Sequence, residues 1–117
     1  MPVFAVTYEY TDQPGDEQRR DEHRPEHVAF LTAQHEAGRL LVSGPVDRDP
    51  SAGGSGALLI FAGESADDVA ALLDGDPFRR EGLIARRTVS PWRVFFGADR
   101  LAPRTAVAHV PAEEASR

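Results

Sequence analysis

Apolar positions recur along this chain with two different periods. From Val3 to Tyr10 they alternate, with Phe4, Val6, Tyr8 and Tyr10 on one side and Val3, Ala5, Thr7 and Glu9 on the other. A period of two in β-branched and aromatic residues predicts a strand with one fully apolar face. Thr11 to His23 is polar and charged and carries a Pro14-Gly15 turn signal, so a long connection is expected there. Pro25 suits the first position of a helix. Val28, Leu31 and His35 then follow helical spacing, Phe30, Ala33 and Ala37 broaden the stripe, and Gly38 is a natural stop. A helix is therefore expected over Pro25 to Ala37.

Leu40 to Ser43 reads as a short strand closed by Gly44-Pro45. Val46 to Gly56, with Asp49-Pro50 and Gly53-Gly54-Ser55-Gly56, reads as a hairpin loop. Ala57 to Ala62 is an apolar strand. Ser65, with Asp68 three residues later, caps a second helix whose inward stripe is Val69, Leu72 and Leu73 and which ends at Gly75. Pro77 to Gly82 suits one further helical turn. Leu83 to Val89 is a strand, and Pro91 to Phe96 either continues it or forms an edge.

The order β-α-β-β-α-β predicts an α+β fold: a ferredoxin-like antiparallel sheet with two helices on one face. Residues 1–97 make the domain, and 98–117, rich in Ala, Pro and charge, make an irregular tail. Phe4, Val6, Tyr8 and the strand Leu58 to Phe61 hold more apolar surface than one small sheet hides, which implies a homodimer through sheet faces or a larger assembly.

Composition narrows the function. There are 19 acids against 13 bases, for a net charge of −6. The arginines are scattered beside acids, so no concentrated basic face for nucleic acid is expected. The chain contains no lysine, which excludes a Schiff-base lysine, and no cysteine, which excludes thiolate nucleophiles and Cys-ligated metals. No segment has the apolar length of a membrane span, and no signal peptide is evident at the start. A cytoplasmic protein without membrane contact is expected.

Chemistry is concentrated in three fragments: Arg24-Pro25-Glu26-His27, Gly44-Pro45 and Asp76-Pro77-Phe78. An imidazole beside a carboxylate is a plausible proton-transfer pair, and the fold can bring His27 and Asp76 together. Asp76 would accept the Nδ1 proton and leave Nε2 to take one from substrate. Arg24 would stabilise a developing anion, Tyr8 would donate a proton, and Gly44, Pro45 and Phe78 would wall the pocket. Structural readings compete at each position. Asp76 before Pro77 is also a good helix cap. Arg24 is well placed to pair with Glu22 or Glu26, and Tyr8 to fill the core. His23 and His27 have the spacing of a helical metal-ligand pair, but Pro25 between them places His23 outside the expected helix, so no metal site is expected.

With Gly38-Arg39-Leu40 and Val89-Ser90-Pro91-Trp92, these fragments resemble, in order over residues 2 to 96, the YciI-like family of small dimeric α/β-barrel proteins. The resemblance implies a site made by a histidine of the first helix and the aspartate of the Asp-Pro-Phe segment, here His27 and Asp76. It also implies reactions such as dehydrochlorination of chlorinated hydroxyquinols, isomerisation of lactones, or cofactor-free oxygenation. The expected function is thus a small enzyme without a cofactor. It would move a proton on a cyclic or aromatic metabolite as an isomerase or dehydrochlorinase-like lyase. The alternative is a non-catalytic small-molecule-binding or accessory domain.

Overall fold

A computed structural model describes residues 1–47 and 55–101. The elements are β1 (Val3–Tyr10), α1 (Asp16–Glu36), β2 (Leu40–Val46), β3 (Gly56–Ala62), α2 (Ala66–Leu73), α3 (Pro77–Arg80) and β4 (Ile84–Pro91), followed by a 3-10 turn at Ala98–Leu101. The strands form one antiparallel sheet in the order β2-β3-β1-β4. This is the ferredoxin-like α+β arrangement.

The alternation in β1 sorts its side chains as expected. Phe4, Val6 and Tyr8 stand beside Phe61, Leu59 and Ala57 of β3 and share one buried core with Val69 and Leu73 of α2 and Phe78 of α3. Phe30 and Leu31 of α1 pack against that core. These apolar side chains are therefore covered within the chain. What stays open is the opposite face, where Val42, Val46 and Leu58 are exposed. Ser65 caps α2 as expected, its Oγ accepting from the Asp68 N–H at 3.1 Å.

Three boundaries depart from the expectation. α1 starts at Asp16, nine residues before Pro25, so Pro25 is interior and the connection shrinks to residues 11–15. The sequence pattern hid this turn because the buried face of α1 is polar: Asp16, Arg20, His27 and Gln34 fall on one side of the helix. Val28, expected to point inward, is 51% exposed. The helix begins at Gly15, whose φ of 90° is a left-handed conformation that glycine adopts without strain. The Asp16 carboxylate accepts from the Gln13 N–H at 2.9 Å and closes the turn. Contact with the Thr11 hydroxyl, this N–H and nearby arginine charge hold that carboxyl below its usual range.

β2 also runs on through Gly44-Pro45 to Val46. Proline is tolerated there because β2 lies at the sheet edge, where an N–H is not needed by a neighbour. β4 ends at Pro91 and does not continue to Phe96; Phe95 and Phe96 are almost fully exposed. The expected hairpin loop lies largely outside the described residues, as does the tail beyond Leu101.

Two glycines give opposite forecasts. A Cβ on Gly56 would stand 2.1 Å from the Tyr8 carbonyl oxygen, whereas one on Gly44 meets nothing within 4 Å. Gly56→Ala should destabilise the protein by about 1–3 kcal/mol through overpacking, and Gly44→Ala should be close to neutral. Urea unfolding of both variants checks the contrast.

Candidate active site

The site is built on a buried carboxylate. Asp76 is the N-cap of α3, with Pro77 supplying the preset first helical position. Its Oδ1 accepts from the Phe78 N–H at 2.9 Å and lies 2.7 Å from His27 Nδ1; its Oδ2 accepts from the Tyr8 hydroxyl at 2.9 Å. The side chain is 0% exposed. The cap and the His-Asp contact are thus one arrangement, made by the same carboxylate. Because a carboxylate only accepts, His27 Nδ1 is the donor in its bond to Asp76, and in the neutral imidazole Nε2 then carries the lone pair.

His27 sits in the middle of α1 rather than at its start. Its ring lies flat on Phe78, with centroids 3.9 Å apart and planes 2° from parallel, and Phe78 meets Tyr10 edge-on at 5.6 Å. Polar ties keep α1 and α3 in place around this stack. Arg80 pairs with Glu26 at 3.0 Å, and Arg19 donates to the Glu81 carbonyl at 2.9 Å. His23 is on the helix, contrary to expectation, but its ring faces Glu26 and Glu81 while His27 faces Asp76. Among the described residues no group of three or more His, Asp or Glu side chains is placed to hold a metal ion.

Beside His27 opens a cleft of about 750 Å³. Its walls include Tyr10, Arg20, Arg24, Pro45 and Phe78. Of the residues expected to meet substrate, Arg24, Pro45 and Phe78 reach this cleft and Gly44 does not. Arg24 pairs with Asp21, the residue one turn back, rather than with Glu22 or Glu26. Tyr8 is also not on the wall: it stands behind Asp76 in the core, so its hydroxyl serves the carboxylate and not a ligand. Arg20 and Tyr10 were missed. Arg20 lies two turns before His27 on the same face, a relation legible only once the helix is known to extend that far.

Residues 3–93 match the family described as the YCII-related domain. The chain belongs to the YCII-related family. Over 78 residues it is 36% identical to Protein YciI of Escherichia coli and of Shigella flexneri, covering 62% of this chain and 80% of each relative. Its fold is also similar to a solved structure, 5-chloro-2-hydroxyhydroquinone dehydrochlorinase (TftG) of Burkholderia phenoliruptrix in complex with 2,5-dihydroxybenzoquinone, with TM-score 0.61 and 29% identity, covering 78% of this chain and 93% of that one. The YCII-related match spans β1 to β4 and so contains every residue of the buried carboxylate network.

Burial, and then the negative charge of Asp76, push the Tyr8 hydroxyl well above the ordinary tyrosine range. It therefore remains a neutral donor at physiological pH. A group whose folded pKa is raised contributes stability that is whole below its unfolded value, about 10 for tyrosine, and is lost as pH rises toward the folded value. Stability should accordingly fall in strong alkali. Tyr8→Phe should lower stability at neutral pH by about 1–3 kcal/mol, the cost of an orphaned buried acceptor, and flatten the alkaline fall. Tyr10, raised by burial and by Asp76 in the same direction, leaves a residual slope. Denaturant melts across neutral and alkaline pH measure both effects.

Proposed function

We propose that this protein is a small enzyme that moves a proton on a cyclic or aromatic metabolite. His27 acts as general base and acid, and Asp76 orients it. The observation that carries the reading is the 2.7 Å contact between a fully buried carboxylate and Nδ1 of His27, which itself lines an open cleft. Nε2, the nitrogen that Asp76 does not engage, takes a proton from an acidic C–H or O–H of the bound molecule. The electron pair left behind moves into the ring. In an isomerisation the proton returns at another carbon. In a dehydrochlorination the pair expels chloride, and the net loss is HCl. The dehydrochlorinase named above, at 29% identity, supports the second course and a hydroxylated ring as substrate. Arg24 and Pro45 contribute to the cleft wall, and Phe78 supports the imidazole face. The proposed chemistry calls for no cofactor.

The test is chloride release from 5-chloro-2-hydroxyhydroquinone, the compound named for that neighbour, followed in wild type, His27→Gln and Asp76→Asn. Loss of a general base costs about 10²–10⁴-fold in rate, and the fall should lie in kcat rather than KM. Nitrogen NMR shifts of His27 should show the proton on Nδ1 in the wild type and a changed tautomer in Asp76→Asn. An unaltered tautomer removes the dyad. Since Asp76 also caps α3, its burial has a structural use of its own. That favours, as the second reading, a binding domain using the same cleft. A ligand that stabilises the protein and is never converted selects it.

The protein is further proposed to be cytoplasmic, in keeping with a chain free of cysteine, with residues 1–97 as its domain. Among the described residues no helix is long and apolar enough to cross a membrane. It is also proposed to pair through the open sheet face, where Val42, Val46 and Leu58 stand exposed. Light scattering should give a dimer mass for the wild type and a monomer mass for Leu58→Asp. A wild-type monomer at micromolar concentration rejects the pairing.

A further inference from the structure

The cleft contains a second buried polar group that the proton-transfer scheme does not use. Arg20 is 8% exposed, lines the cleft, and lies on the same face of α1 as His27, about 10 Å along the helix axis by α-helical rise. Its guanidinium donates to the Thr11 carbonyl at 2.5 Å and stands 5.1 Å from the centroid of the Tyr10 ring. Among the described residues it makes no ion pair, although its charge is felt by Asp16. The other arginine of the wall, Arg24, is already engaged by Asp21. The rim acids Asp12, Glu17 and Asp21 are exposed to water, whereas Arg20 is not.

Burying a guanidinium without a carboxylate is costly. One carbonyl and one ring face satisfy a small part of a group with five N–H donors. The guanidinium carbon lies over the Tyr10 ring, which meets Phe78, which in turn supports His27. A guanidinium fixed in this way is preorganised for a planar oxyanion.

Resting on the proton-transfer reading of the cleft, we propose that Arg20 is its anion-recognition residue, and that the ligand is an organic acid carrying an ionised oxygen at the Arg20 end and its exchangeable proton at the His27 end. This makes the substrate class an aromatic or cyclic anion rather than a neutral ring. It also gives the bound molecule one orientation, because a neutral atom at the Arg20 end would leave the guanidinium unpaired.

Salicylate and salicylamide, nearly isosteric and differing in charge, serve as probes, with affinity measured by calorimetry on the full chain. Wild type should prefer the acid by at least about tenfold, the worth of one hydrogen bond to a charged group. Arg20→Gln should bring the ratio near one while leaving salicylamide binding unchanged. Arg20→Lys, which keeps the charge and is the safer variant for folding, should retain part of the preference. His27→Gln should retain all of it. The proposal is overturned if Arg20→Gln keeps the preference, if wild type binds both probes equally, or if neither probe binds at millimolar concentration. The readout is independent of turnover. A charge preference without any reaction upholds Arg20 and counts against the enzyme; turnover without the preference does the reverse.

Discussion

The buried carboxylate of Asp76 is the constraint around which this domain is organised. Removing an ionised group from water costs several kcal/mol even after the protein relaxes, and the cost is tolerable only when donors surround it. Three converge here, each from a different element: the Tyr8 hydroxyl from β1, the His27 ring from α1 and the Phe78 N–H from α3. Hydrogen bonds to a charged acceptor are about twice as strong as neutral ones. The network thus fixes where α1 and α3 stand relative to the sheet, and it orients the imidazole at the same time. The stability of the packing and the orientation of the ring draw on the same three contacts.

A similar logic runs along α1. Its buried face is Asp16, Arg20, His27 and Gln34, so little apolar surface holds this helix down. It is held by matched polar contacts instead: Asp16 to the Gln13 N–H, Arg20 to the Thr11 carbonyl, His27 to Asp76, and Gln34 to the Arg39 guanidinium at 2.7 Å. Phe30 and Leu31 add apolar packing in its second half. Pro25 lies inside the helix and removes one backbone donor, normally a serious penalty. The helix runs on through it, with side-chain anchors on both sides of the proline.

This explains which parts of the structure were legible in the sequence. β1, β3 and α2 bury apolar side chains, so their periodicity reports their fold directly; Phe4, Val6, Tyr8 and the Ser65 cap stand where pattern placed them. The first half of α1 buries charged residues and looked like a solvated loop. Proline at position 25 then reinforced the wrong start, because the same residue that suits a first helical turn is here an interior one. The pairing of His27 with Asp76 was legible because both belong to short motifs whose residue types are unusual together. Tyr8 was legible as core but not as the partner of a carboxylate. Alternation says that a side chain points inward and is silent on what its polar tip will find there. Arg20 was hidden with its half of the helix.

The misplaced start of α1 also concealed how charge is distributed. The whole chain is acidic, with a net charge of −6, and long-range attraction should favour cations. At short range the order is reversed. The exposed rim carries Asp12, Glu17 and Asp21, where water and salt screen them, while the inner wall carries Arg20, which solvent hardly reaches. Interactions strengthen as the local dielectric falls, so charge for charge the buried guanidinium of Arg20 acts more strongly inside the cleft than a hydrated carboxylate of the rim. Net charge therefore speaks to solubility and encounter, and not to what the cleft can hold. Phe78 stands between His27 and Arg20, stacked on the imidazole and edge-on to the ring beneath the guanidinium. Its backbone N–H hydrogen-bonds Asp76 as well, so one residue touches the imidazole, its carboxylate and, through Tyr10, the surroundings of the guanidinium.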